Sequence, residues 1–194
     1  MSSTAIREQR GIARPNGWWG MVVFVALEAT LFGTLVGSYV YLRFRAGQWP
    51  PAGIEEPKVL APVLLTALLA ATSVPVALAH ASARRARSRP ALLLLLLALA
   101  VQCVYLALQL NLFVDDLHSF SPQSSAYASI YFTLVGAHHA HVVVAMLLEA
   151  WLVVRLGSGV TRYRLVALEA TAFYVYFVSV LALVVVGVQV SAAL

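Results

Sequence analysis

Charge is the scarcest property of this sequence. Only 11% of its 194 residues are Asp, Glu, Lys or Arg, while 61% are hydrophobic. Soluble domains carry roughly 25% charged and about 45–50% apolar residues. A water-soluble helical bundle is excluded on that ground, because its outer faces would have to be polar. Cysteine is nearly absent as well. Cys103 stands alone inside an apolar run, so no intrachain disulfide can form, and the thiol reads as a small buried hydrophobe rather than a reactive group. The formal net charge of +5 does not point to nucleic acid, because the basic residues are confined to short segments between apolar runs.

What fills the sequence is long apolar stretches. A helix needs about 20 such residues to cross a hydrocarbon core of about 30 Å. Five stretches qualify: roughly 18–42, 59–82, 91–114, 126–154 and 164–192. Pro57, Pro62 and Pro90, the Ser121-Pro122-Gln123-Ser124 turn and Gly157-Ser158-Gly159 set them apart. The expected architecture is all-α: a short N-terminal segment, 1–17, followed by one membrane domain of five helices over 18–194. Residues 1–17 are polar and basic, and the run after them is too long for a signal-peptide core, so the first helix is expected to be retained.

The basic residues orient these spans. Arg7, Arg10 and Arg14 precede the first, Arg84, Arg85, Arg87 and Arg89 fill the second connection, and Arg155, Arg162 and Arg164 fill the fourth. Ten of the thirteen basic residues therefore share one side, against Arg43, Arg45 and Lys58 on the other. The positive-inside rule places the N-terminus in the cytoplasm and the C-terminus outside. Trp18, Trp19, Trp49 and Trp151 fall near span ends, where an indole buries its ring and keeps its N–H wet. With Arg43 they are the candidate lipid and interface residues.

Ionisable groups inside the spans are few, and each costs about 2.5–3.5 kcal/mol on insertion scales. Glu28 lies ten residues into the first helix, about 15 Å deep. On the fourth, Tyr127, Tyr131, His138, His141 and Glu149 fall within a stripe about 80° wide, with His139 off it. Such a stripe has to face other helices or a polar cleft. His138 and His141 match the depth of Glu28, so a buried His–Glu pair is expected. Glu169, Phe173 and Tyr176 share a face of the fifth helix, and Glu149 and Glu169 each sit about 8 Å from the cytoplasmic edge. Glu28, His138, His141, Glu149, Glu169 and Tyr176 make up the candidate buried polar network. Gln102, Gln109, Asn111 and Gln189 are expected as interhelical hydrogen-bond partners. Gly33 and Gly37 form a G-x-x-x-G about 140° round the first helix from Glu28, a candidate for close helix packing.

A redox centre in this chain is not expected. His138 and His141 at i and i+3 could share an ion, but no cysteine and no second histidine cluster completes a ligand set. A bis-histidine haem would need a histidine at matching depth on a facing helix, and His80 and His118 lie at or beyond helix ends.

Four strings carry a family likeness in the right order along the chain. They are Trp19-Gly20-Met21 running on to Glu28, Leu31 and Phe32; Trp49-Pro50-Pro51-Ala52-Gly53-Ile54; Gly136-Ala137-His138-His139-Ala140-His141-Val142; and Glu169-Ala170-Thr171-Ala172-Phe173-Tyr174. The sequence resembles subunit III of the haem–copper terminal oxidases, cytochrome c oxidase above all, in a divergent five-helix bacterial form lacking the first two helices of the longer members. The chain departs from the family after Tyr174, where Val175-Tyr176-Phe177-Val178-Ser179 stands in place of W-H-F-V-D, and at His139, which replaces a glycine.

The resemblance implies a non-catalytic subunit in a bacterial cytoplasmic membrane. It would carry no catalytic residue, pack against the haem-bearing subunit I, bind phospholipid, and support stability and proton uptake of a complex whose haem and copper lie in other chains. Accessory subunits of quinol oxidases and nitric oxide reductases are alternatives within the same likeness. A small proton-coupled transporter built on Glu28, His138 and His141 is a different class, disfavoured because the sequence shows no internal repeat.

Overall fold

The computed structural model describes residues 15–55 and 57–192. Arg7, Arg10 and Arg14, on which part of the orientation rests, lie outside the described residues. The helices are α1 (Asn16–Arg45), α2 (Leu60–Ala71), α3 (Ser73–Arg84), α4 (Ser88–Ser119), α5 (Ala126–Leu156) and α6 (Arg162–Ser191), with no strand among the described residues. Among them five spans are long and apolar enough to cross a membrane, α2 and α3 together forming one, Leu60–Arg84. The all-α five-span architecture expected from the sequence is the one observed. Several helices overrun the expected limits, α4 most of all: 88–119 in place of 91–114.

Local chemistry explains the ends and the break. Ser125 Oγ accepts from the Ala128 N–H at 3.1 Å and Thr161 Oγ1 from the Arg164 N–H at 3.3 Å, so hydroxyl caps satisfy first-turn donors of α5 and α6. The second span was expected as one helix over 59–82. It breaks at Thr72, because Pro75 has no N–H to return to the Ala71 carbonyl. Thr72 Oγ1 donates to the Leu69 carbonyl at 2.6 Å, and Ser73 Oγ donates across to Ser179 Oγ at 3.1 Å. Hydroxyls thus tie down a stretch of helix that proline loosens.

The span ends at a left-handed cap. Ala86 has φ of 56°. Its N–H donates to Ala83 O at 2.9 Å, and the Arg87 N–H donates to Ser82 O at 3.0 Å. This pair of bonds is a Schellman motif built on alanine where glycine is the usual residue.

In the packing, α5 and α6 contact each other, and α6 also contacts α1, α2 and α3. Half of the apolar window of α6 is buried, against 6% for α1. Alanines make the closest seam. Ala79 and Ala83 of α3 and Ala91 and Ala98 of α4 are essentially inaccessible, and such small side chains let membrane helices approach. Gly33 and Gly37 were expected to serve that purpose. Each faces out of the bundle, with nothing within 4 Å of an added Cβ. Instead α1 buries Val25, Phe32 and Tyr39, a seven-residue spacing that makes a narrow seam.

Candidate functional site

The polar residues anticipated as one network divide among separate contacts. At the flank of the bundle, Glu28 of α1 meets His141 of α5, with Oε2 and Nε2 2.8 Å apart. Glu28 projects from the α1 seam between Val25 and Phe32, and the Phe32 ring stands edge-on to the imidazole at 5.1 Å. His141 Nδ1 lies 2.7 Å from the Ala137 carbonyl. A carbonyl only accepts, so Nδ1 carries the hydrogen. Nε2 then either donates to a Glu28 carboxylate as part of an imidazolium, or accepts from a protonated Glu28. Either way one proton is shared between the two side chains. The expected His–Glu pair at matching depth is present, with His141 rather than His138 as the partner. It is only partly buried: the side chains are 21% and 15% exposed.

His138 turns to the other side of α5. Its Nε2 lies 3.2 Å from the Tyr105 hydroxyl of α4, and its Nδ1 has no partner. The two histidines that might have shared an ion therefore diverge. No group of three or more His, Cys, Asp or Glu among the described residues is placed to hold a metal. His139, expected off the buried stripe, is itself buried, edge-on to Phe113 at 5.5 Å. The buried face of α5 is wider than an 80° stripe because α4, α6 and α1 all pack on it.

Deeper toward the Arg84 end of the bundle, Glu149 is fully buried. Its Oε1 accepts from Gln102 Nε2 at 2.8 Å, and that amide also reaches Thr72 Oγ1 at 3.5 Å. The carboxyl is thus held beside the break in the second span. Glu169 is half-buried on α6 and close enough to His80 of α3 for electrostatic interaction. Tyr176, two turns further along α6, packs against the central apolar cluster.

At the opposite end, Trp49 folds inward rather than facing lipid. Its Nε1 donates to the Tyr39 hydroxyl at 3.0 Å, and its ring stands edge-on to Tyr39 and Tyr127 at 5.3 and 5.0 Å. Trp19 and Trp151 remain exposed, Trp151 with the Arg155 guanidinium 5.6 Å above its ring. Trp18 packs on Trp19 and Phe173. Arg43 lines a groove of about 750 Å³ between the C-terminal ends of α1 and α6, with Tyr39, Val40, Leu183, Val184 and Gly187.

Of the expected interhelical partners, Gln102, Gln109 and Gln189 are buried and Asn111 is exposed. Sequence reasoning missed Tyr105, Thr72 and Asp116, whose carboxylate accepts from the Tyr131 hydroxyl at 2.6 Å. Asp116 lies beyond the expected limit of the span at 114, and nothing in its local sequence signals that α4 continues through it.

The chain matches a family model described as Cytochrome c oxidase subunit III over residues 6–190. It is similar to the proteins named cytochrome c oxidase subunit 3 from Coturnix japonica and Gallus gallus, at 30% identity over 170 residues. The protein of that name from Locusta migratoria is 28% identical over 169 residues. Each alignment takes in 84% of this chain, which spans 64% of the length of these relatives.

Proposed function

Since the chain belongs to the cytochrome c oxidase subunit III family, we propose that it acts as the non-catalytic third subunit of a haem–copper terminal oxidase in a bacterial cytoplasmic membrane. Haem and copper are assigned to partner chains. This chain would seat against the haem-bearing subunit, hold phospholipid and sustain proton uptake over many turnovers. The distribution of Arg and Lys favours a cytoplasmic Arg84–Arg89 loop and an external Trp49 end.

The observation that carries the proposal is the flank of α1. A Glu–His pair at mid-depth, partly open to its surroundings, is costly against hydrocarbon. It lies on a helix whose apolar window is only 6% buried and which presents Gly33 and Gly37 outward. A neighbouring subunit or a bound lipid would cover both features. The groove at Arg43 suits a phospholipid, with the guanidinium toward a phosphate and an acyl chain along Val40, Leu183 and Val184.

Glu28→Ala in the assembled complex tests this. The chemistry would occur on metals held elsewhere, so early turnover should be largely intact. Assembly, lipid retention or activity over many turnovers should suffer. Immediate and complete loss of activity in an intact complex would count against a supporting role and favour a proton carried by Glu28 in every cycle.

A further inference from the structure

Four helices meet around Tyr131 at the Trp49 end of the bundle, and the space among them is polar. The Tyr131 hydroxyl donates to Asp116 Oδ2 at 2.6 Å, and Gln189 Nε2 donates to that hydroxyl at 3.3 Å. Asp116 comes from the last turn of α4, Tyr131 from the second turn of α5 and Gln189 from the end of α6.

Two cavities of about 20 Å³ each lie against this triad. The first is lined by Lys58, Pro62, Asp116, Tyr131 and Gln189. The second shares Pro62, Asp116, Tyr131 and Gln189 and adds Gln109, Phe113 and Val135. A larger pocket of about 350 Å³ shares Lys58, Asp116 and Tyr131 with the first cavity and adds Glu55 and Ser119. The three spaces therefore adjoin one another through shared lining residues.

The second small cavity holds a group in need of a donor. Gln109 is 7% exposed, and its Oε1 is buried with no hydrogen-bond partner. A water requires about 10–15 Å³ and two to four polar partners, and each small cavity supplies both. Phe113 lines the same cavity one helical turn from Gln109, its ring edge-on to Phe132 at 5.4 Å and to His139 at 5.5 Å. Neither His138 nor Tyr105 lines any of the three spaces.

We propose that this cleft is a water inlet open only at the Trp49 end. One ordered water is held by Asp116, Tyr131 and Gln189. A second donates to Gln109 Oε1. Both exchange with the pocket at Lys58, and the file stops at Gln109. The inlet hydrates the Asp116 carboxylate and the Gln109 and Gln189 amides within two spans without opening a water path through the bundle. It does not depend on which complex the chain serves.

Hydroxyl-radical footprinting by X-ray radiolysis of the assembled protein, read by mass spectrometry, tests the assignment, because radicals formed from internal water label the side chains beside it. Tyr131, 8% exposed, should be modified at least tenfold faster than Tyr105, 1% exposed, and rapid mixing with ¹⁸O water should place ¹⁸O in the Tyr131 product. Gln109→Leu should lower labelling of Val135 severalfold and leave Tyr131 labelled. Equal rates for Tyr131 and Tyr105, whether both are low or both high, overturn the inlet or its seal. Unchanged Val135 labelling in Gln109→Leu overturns the inner water. Should that variant not assemble, the Tyr131-to-Tyr105 ratio in the unaltered protein still decides.

Discussion

Glu28 of α1 and His141 of α5 face each other with 2.8 Å between carboxyl oxygen and imidazole nitrogen, and the Ala137 carbonyl fixes the hydrogen on the far side of the ring. The pair is thereby limited to one shared proton. An amide in place of the carboxyl can fill the same role, because its NH₂ donates to a neutral Nε2. Glu28→Gln is expected to keep the thermal midpoint of the detergent-purified protein close to that of the parent. Glu28→Ala leaves Nε2 unpaired and should cost about 1–3 kcal/mol, toward the lower end because the site is partly open. Equal losses for Gln and Ala in thermal unfolding would show that charge, not the hydrogen bond, holds the pair.

Glu149 is wholly enclosed and accepts from Gln102. Gln102→Leu removes that donor and should destabilise the fold by about 1–3 kcal/mol or more. Adding Glu149→Leu removes the stranded acid, and the double variant should recover much of the loss. A double-mutant cycle measured by thermal unfolding reads the coupling. Strict additivity of the two substitutions would refute it.

Ala86 occupies a left-handed position at φ of 56°, where a Cβ costs about 1–2 kcal/mol and glycine costs little. The Schellman bonds around it use only backbone atoms, so they survive substitution. Ala86→Gly should therefore raise stability by up to about 1 kcal/mol, seen as a higher midpoint in a thermal melt. A lower midpoint would mean that the cap is not formed.

Depth was legible in the sequence and rotation was not. Span positions follow from apolar run length, and the match between Glu28 and the histidines follows from counting residues at a fixed rise. Which histidine turns toward Glu28 depends on how α5 is rolled against α1 and α4, which no local pattern records. The break at Thr72 had a local cause in Pro75, yet hydropathy alone runs smoothly through it. Asp116 marks a different gap. Two adjacent acids read as the end of a span, whereas a tyrosine hydroxyl on the next helix lets α4 continue past them. Small residues at i and i+4 identify a thin face on α1, but not what lies on it.

That thin face supplies the last prediction. Gly33 and Gly37 have open space where a Cβ would go, so side chains there meet no helix of this chain. Gly33→Ala with Gly37→Ala should leave the chain expressed alone as stable or more so, since alanine is favoured over glycine by about 1 kcal/mol per residue within a helix. Gly33→Leu with Gly37→Leu should also fold alone, but leucines would hold a neighbouring helix away from the α1 backbone. Under the subunit role proposed above, that leucine variant should lose co-purification with its haem-bearing partner while the alanine variant keeps part of it. Unfolding of the isolated leucine variant would show that the glycines pack within this chain after all. Full assembly of the leucine variant would move the subunit contact to another face and leave the α1 flank to lipid.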